Sequence, residues 1–208
     1  TNATYTIASF TTADTYYCTV TCTTSGLSAS STSLAVGLSG FINCYCTPAP
    51  TTLSCVYDWI GNVTIGTINN TSGCTAPFIA YPNTITTNIN VGVATPISLS
   101  TVGYSGYFDV FVDLNQDGIY QTSERLLTDF LVGPTGSSAG SYTGTTNLTI
   151  PVTATPGVTK MRVRYDYFYT DYNGTGAQDP CAGLYEGETE DYFVTIVIPN
   201  NCSGTPAP

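Results

Sequence analysis

The chain is predicted to be all-β, a β-sandwich or jelly roll, and three observations point there. Thr, Ser, Gly, Asn and Tyr dominate while strong helix formers are scarce. Apolar and polar residues alternate over short runs, the period of strands with one buried face. Gly, Pro and Asn turn signals separate those runs, as in sandwiches and jelly rolls. With 208 residues, 42% of them hydrophobic, the chain is long and apolar enough to bury a real core.

Strand-like runs fall at 3–10, 16–22 and 27–36, then at 56–68, 85–99, 107–112, 147–152, 160–168 and 191–198. The segment Ala13-Asp-Thr-Tyr16-Tyr-Cys18 resembles the end of an immunoglobulin-like domain, where an Asp, and a Tyr two residues before a Cys, form the corner entering strand F. That resemblance covers residues 1–38 and implies strands E to G only. The tetrapeptide Thr-Pro-Ala-Pro ends both at Pro50 and at Pro208, and such punctuation continues neither a helix nor a central strand. The expected organisation is a piece of a tandem array: a partial immunoglobulin-like segment at 1–38, a linker at 39–44, a main β-sandwich at 45–198, and a lead-in to a next repeat at 199–208.

Composition narrows the function classes. Only 9% of residues are charged, and fourteen acids against four bases give a net charge of −10. Nucleic acid is a poor partner for such a chain, because its phosphates need Lys and Arg to neutralise them; cations suit it better. Eight cysteines without a single histidine or C-x-x-C pair read as disulfides, which places the protein in an oxidising compartment, outside the cell or in a periplasm; an extracellular, cell-surface location is expected. Asn2, Asn62, Asn69, Asn70, Asn147, Asn173 and Asn201 head glycosylation sequons, which a Thr-rich chain also produces by chance. No apolar run has membrane-spanning length, so membrane insertion is not expected.

The most specific chemistry lies at 113–124, Asp113-Leu-Asn-Gln-Asp-Gly-Ile-Tyr-Gln-Thr-Ser-Glu124. Asp113, Asn115, Asp117, Gly118 and Glu124 occupy positions 1, 3, 5, 6 and 12 of a calcium loop, and Ile119 at position 7 offers a carbonyl. A hard cation needs six to eight oxygens; alternate side chains of a tight loop, one carbonyl and a bidentate carboxylate can supply them. The preceding 107–112 run is aromatic and β-branched, so the loop hangs from a strand and reads as a structural clip, not a helix-opening sensor.

Three further blocks stand out: Phe108-Asp-Val-Phe-Val-Asp-Leu-Asn-Gln-Asp-Gly118, Ile150-Pro-Val with Lys160-Met-Arg-Val-Arg164, and Gly187-Glu-Thr-Glu-Asp-Tyr192. Together they resemble the GEVED domain, a β-sandwich module of large secreted bacterial surface proteins. Tyr45-Cys46 and Pro180-Cys181 also match the pattern. Thr189 stands where the family name has Val, and Leu114 where Trp is usual before the calcium loop. The resemblance covers about residues 45–198 and implies a non-catalytic module found beside immunoglobulin-like repeats, adhesion domains or secreted hydrolases. It also implies a disulfide between Cys46 and Cys181. Cys55 and Cys74 bracket a hairpin-like stretch and are expected to pair; partners for Cys18, Cys22, Cys44 and Cys202 are left open.

Glu186, Glu188, Glu190 and Asp191 crowd four carboxylates into six residues and need compensation. Arg162 and Arg164 share one strand face, and one or both are expected to pair with Glu188 or Asp191 across the sandwich. A second calcium site and a solvated acidic loop are the alternatives. Tyr165, Tyr167 and Tyr169 alternate as a core-filling face, whereas Tyr172 and Tyr185 lie in turn-rich sequence and are candidate contact residues. Without histidine no Ser-His or Cys-His nucleophile can be assembled, and no glycine-rich stretch has the helix and lysine of a phosphate cradle. Catalysis is therefore not expected.

These readings combine into a non-catalytic, calcium-stabilised extracellular module with a structural and adhesive role. Its expected partners are neighbouring domains of one long chain, other copies of it, or a cell-surface glycan or protein. A carbohydrate-binding accessory module of a secreted enzyme and a filament subunit assembled by strand donation are the alternatives.

Overall fold

A computed structural model describes residues 12–37, 40–49, 55–136, 138–167, 179–184 and 186–199. Within them the chain is all-β, with short 3-10 turns and no α-helix. β1 (Asp14–Tyr16) pairs with β4 (Leu34–Val36), and β2 (Thr19–Thr21) with β3 (Ser28–Ser30), both antiparallel with the register offset by one residue between the two pairs, so 14–36 form one long interrupted hairpin closed near Gly26. Nearly every residue of it is exposed, including Leu27, Val20 and Leu34, so this hairpin has no core of its own. The strand expected at 3–10, on which a strand-donation reading depends, lies outside the described residues.

The main body is a two-sheet sandwich. One sheet runs β12 (Tyr142–Thr149), β9 (Ala94–Val102), β5 (Trp59–Ile65), β6 (Ile68–Thr71). The other runs β11 (Arg125–Val132), β10 (Gly106–Val112), β13 (Gly157–Asp166), β14 (Glu188–Val197). Its far edge is a single interrupted line: β7 (Phe78–Ala80) and β8 (Thr86–Asn90) both pair with β14 in parallel, one beyond the other.

Alternation along the strands builds the core between the sheets. Val63 and Ile65 on β5, Ile97 and Leu99 on β9, Phe108, Val110 and Val112 on β10, Met161 and Val163 on β13, and Val194 and Ile196 on β14 are fully or almost fully buried and packed together. Tyr165 continues the β13 row inside, as its alternation predicts, but Tyr167 lies beyond the strand end and is only partly buried. Tyr169 lies outside the described residues.

The strand runs expected at 56–68 and 85–99 are each two strands. Gly66 and Gly92 adopt positive φ (55° and 70°) and reverse the chain where the hydrophobic pattern alone continues. β7 and β11 are additional strands. Two disulfides close the body: Cys46 with Cys181, 135 residues apart, and Cys55 with Cys74. Cys18, Cys22 and Cys44 are free and exposed; Cys202 lies outside the described residues.

Candidate functional site: the acidic loop and the arginine hub

The 113–124 loop connects β10 to β11. Asp113, the residue after β10, is fully buried, and its carboxylate accepts four hydrogen bonds. Oδ1 takes the amides of Gln116 (2.7 Å) and Asp117 (3.3 Å); Oδ2 takes the Gly118 amide (3.0 Å) and the Tyr45 hydroxyl (2.7 Å). Asn115 and Asp117 each cap the amide two residues on, and the Gln121 amide side chain donates to Asp117. Glu124 is buried too: Oε1 accepts from the Leu114 and Asn115 amides and Oε2 from Gln121 N, as half of a capping box. Burial, with the charge of Asp113 adding to it, raises the Glu124 carboxyl above its ordinary value.

Gly118 is required at the turn for two reasons. Its φ is +82°, and a Cβ there would stand 2.7 Å from the Phe41 carbonyl oxygen and 2.9 Å from Cys44 Cβ. Residues 41–44, expected as linker, are thus packed against the loop as a 3-10 turn.

The loop is tied to the outer face of the large sheet by aromatic contacts. Tyr45 packs against Tyr120 with centroids 4.9 Å apart and the rings tilted by 31°, and the Arg162 guanidinium lies 4.8 Å over the Tyr120 ring. Arg162 is fully buried. Its Nε and Nη2 grip Asp191 Oδ1 and Oδ2 at 2.7 and 2.8 Å in a bidentate pair. Nη2 also donates to Cys46 O (2.8 Å), and Nη1 to Pro180 O (2.6 Å), so the guanidinium binds both segments that the Cys46 disulfide joins. Burial works against the charge, yet the hydrogen bonds and charge of Asp191 outweigh it and hold Arg162 above its ordinary value. Arg164, two residues on, donates to the carbonyls of Asp179 and Ala182. Burial, and then the neighbouring charge of Arg162, push it down to about 10.

The expected pair of Arg162 with Asp191 forms, but within one sheet and not across the sandwich. Arg162 faces Asp191 directly on the adjacent strand, on the outer face of one sheet. Glu188 points to the other face, into the sandwich, where its Oε2 accepts the Ile60 amide at 2.9 Å and it meets no arginine. Glu190 lies on that inner face too and accepts hydroxyl protons from Tyr81 (3.0 Å) and Tyr192 (2.6 Å). Burial first, and then Glu190, raise Glu188 to about 8. Period-2 alternation therefore splits the acidic run in two, while Glu186 precedes the strand and is half-buried. Tyr172 and Tyr185 lie outside the described residues.

The order β10, acidic loop, arginine strand, acidic strand decides the comparison with known families. Residues 107–195 match the GEVED domain. The matched stretch contains the loop, both arginines and the acidic strand; β5, β6 and β9, which supply most of the facing sheet, precede it. No curated protein matches the chain.

Sequence reasoning missed three participants. Tyr120 and Thr159, whose hydroxyl donates to the Asp113 carbonyl (2.8 Å), carry no local signal, since their contacts are set by pairing of distant segments. Asp58, fully buried ahead of β5, reads as an ordinary turn residue in the sequence.

As for a metal, the oxygens of Asp113, Asn115, Asp117 and Glu124 and the Ile119 carbonyl are hard donors of the kind calcium takes. Asp113 spends all four of its lone-pair sites on Gln116, Asp117, Gly118 and Tyr45, whereas Asp117 Oδ1 and Glu124 Oε2 accept one hydrogen bond each and keep a second site. The carboxylates are held by amides, and among the described residues no three acidic or cysteine side chains cluster as a metal site. The donor set fits calcium by chemistry, within a loop that closes on its own amides. Two disulfides suit a non-cytoplasmic protein, and among the described residues no helix is long and apolar enough to cross a membrane.

Proposed function

We propose that this chain is a non-catalytic, calcium-stabilised structural and adhesive module of a large extracellular bacterial surface protein. The observation that carries this reading is where its polar groups are spent. Arg162, Asp191, Asp113, Glu124 and Glu190 are buried and bonded to partners within the chain. Arranged so, they lock the 113–124 loop, residues 45–46 and residues 179–182 onto one sheet face, which is the work of a load-resisting module. The GEVED match over 107–195 supports the same reading. A bound calcium would be held by Asp113, Asn115, Asp117, the Ile119 carbonyl and Glu124, and would neutralise three carboxylates in a chain of net charge −10.

Isothermal titration of calcium into chelator-treated protein tests the proposal. One saturable site that is lost in Asp117→Ala supports it. No heat beyond dilution leaves the loop as a self-capped turn and removes calcium from the proposed function.

A further inference from the structure

One end of the sandwich carries a pocket that the loop and the arginine hub do not use. Tyr57, Tyr104, Tyr167 and Glu186 line a cavity of about 210 Å³. The lining comes from four separate places: the approach to β5, the turn from β9 to β10, the end of β13 and the approach to β14. Two glycines hold those segments in contact. A Cβ on Gly103 (φ +100°) would fall 2.1 Å from the Tyr57 carbonyl oxygen, and one on Gly187 (φ +111°) 2.0 Å from that of Tyr165. The Cys55 amide bonds the Gly187 carbonyl (3.0 Å), and the disulfide from Cys55 to Cys74 anchors that strand approach. The Tyr165 hydroxyl donates to the Tyr104 carbonyl (3.0 Å), and the Tyr104 and Tyr167 rings meet edge to face at 5.1 Å. The walls are preorganised.

The pocket is acidic, and among the described residues no basic side chain compensates it. Asp58, next to Tyr57, is fully buried and neither of its carboxylate oxygens has a hydrogen-bond partner; the Gly187 amide lies near without reaching bonding geometry. Burial first, and then the charge of Glu186, raise Asp58 to about 7. The sequence holds four basic side chains, and each is committed elsewhere. Arg125 faces Asp109, Arg162 holds Asp191, Arg164 caps the carbonyls of Asp179 and Ala182, and Lys160 lies over the rings of Tyr45 and Phe193. None of the four pairs with Glu186 or Asp58, so the buried charge is relieved by a proton or by a cation from outside the chain.

Its chemistry follows from the walls. Calcium takes six to eight oxygens, but three of the four lining residues present aromatic rings, and among the described residues no metal-type cluster of acids exists. Ring faces backed by carboxylates attract an organic cation, which sheds water more readily than a metal ion and gains from the ring quadrupoles. We propose that the pocket formed by Tyr57, Tyr104, Tyr167 and Glu186, with Asp58 behind it, binds an organic ammonium group, either a lysine side chain or a quaternary ammonium head group. This assignment is independent of calcium in the 113–124 loop.

The test is a two-dimensional NMR titration of the full chain with five probes: tetramethylammonium, Nα-acetyl-lysine amide, 3,3-dimethylbutan-1-ol as a neutral isostere, methyl glucoside, and calcium chloride. Saturable shifts confined to Tyr57, Tyr104, Tyr167 and Glu186 are expected with the two organic cations and not with the neutral probes or calcium. The tighter of the two cations identifies the source as a methylated or a primary ammonium. Tyr57→Ala, at an exposed ring, and Glu186→Gln should each weaken cation binding roughly tenfold, as loss of one ring or charge contact implies, with an unchanged melting temperature. Equal shifts with the alcohol or the glucoside, shifts with calcium at these residues, or no saturable shift with either cation would overturn the proposal; the wild-type titration decides this even if a variant fails to fold.

Discussion

Truncating Asp191 to alanine should be among the most damaging single changes in the body of this protein. Asp191 accepts both hydrogen bonds of a bidentate pair with Arg162, at 2.7 and 2.8 Å, and both side chains are within 2% of complete burial. In Asp191→Ala the guanidinium stays buried with the Cys46 and Pro180 carbonyls, the Cys46 sulfur and the faces of Tyr120 and Phe78 around it, and no carboxylate to pair with. Leaving one member of a buried ion pair uncompensated costs about 3–5 kcal/mol. At about 2–4 °C per kcal/mol for a body of this size, the melting temperature should drop by roughly 6–20 °C. Calorimetry on oxidised protein near neutral pH reads the drop directly. The double variant Arg162→Met with Asp191→Leu separates the lost charge from lost shape: replacing the pair by apolar side chains of similar size should recover at least half of the loss. A melting temperature for Asp191→Ala within about 2 °C of the parent, or a double variant worse than the sum of the single changes, would refute the hub assignment.

Three further outcomes are expected. Glu188 at about 8 and Asp58 at about 7 both lie above the carboxylate values of an unfolded chain, so between those values the folded form holds protons that the unfolded form has released. Their contribution to stability is complete below about pH 4 and is lost as pH rises through about 7 to 8; melting temperatures in chelator should fall between about pH 5 and pH 8, and Glu188→Gln should flatten that fall. Gly118→Ala should cost about 2 kcal/mol or more in urea unfolding, since φ is +82° and the new Cβ meets the Phe41 carbonyl; an unchanged midpoint would mean that residues 41–44 do not pack there. Tetramethylammonium should shift Tyr57 and Glu186 resonances where its neutral isostere does not, as set out for the tyrosine pocket.

What could be read from the sequence was local. The loop at 113–124 was legible because its donors follow one another at fixed spacing and Gly118 marks the turn. The sheet faces were half legible: alternation places Glu188 with Glu190 and Thr189 with Asp191, but which pair faces the core depends on the sheet packed against β14. The partner of Arg162 follows from strand register over 29 residues, which no local pattern encodes. β11 was hidden because its Leu126-Leu-Thr-Asp-Phe130 stretch breaks alternation; Asp129 sits at positive φ and the pairing with β10 shifts register around Asp109. The pocket at the sandwich end was not legible, since Tyr57, Asp58, Tyr104, Tyr167 and Glu186 meet only once four strand ends are brought together.

The measurement closest to the central proposal is a melting curve of the oxidised chain in excess calcium and again in chelator, run beside Asp117→Ala. Only the folded loop can assemble the donor set, so calcium at a hundredfold excess over its dissociation constant should add about 2.7 kcal/mol, or roughly 5–10 °C. Asp117→Ala, whose side chain sits on the exposed side of the loop, should melt at one temperature in both conditions. Superimposable curves for the parent chain in calcium and in chelator would contradict the account.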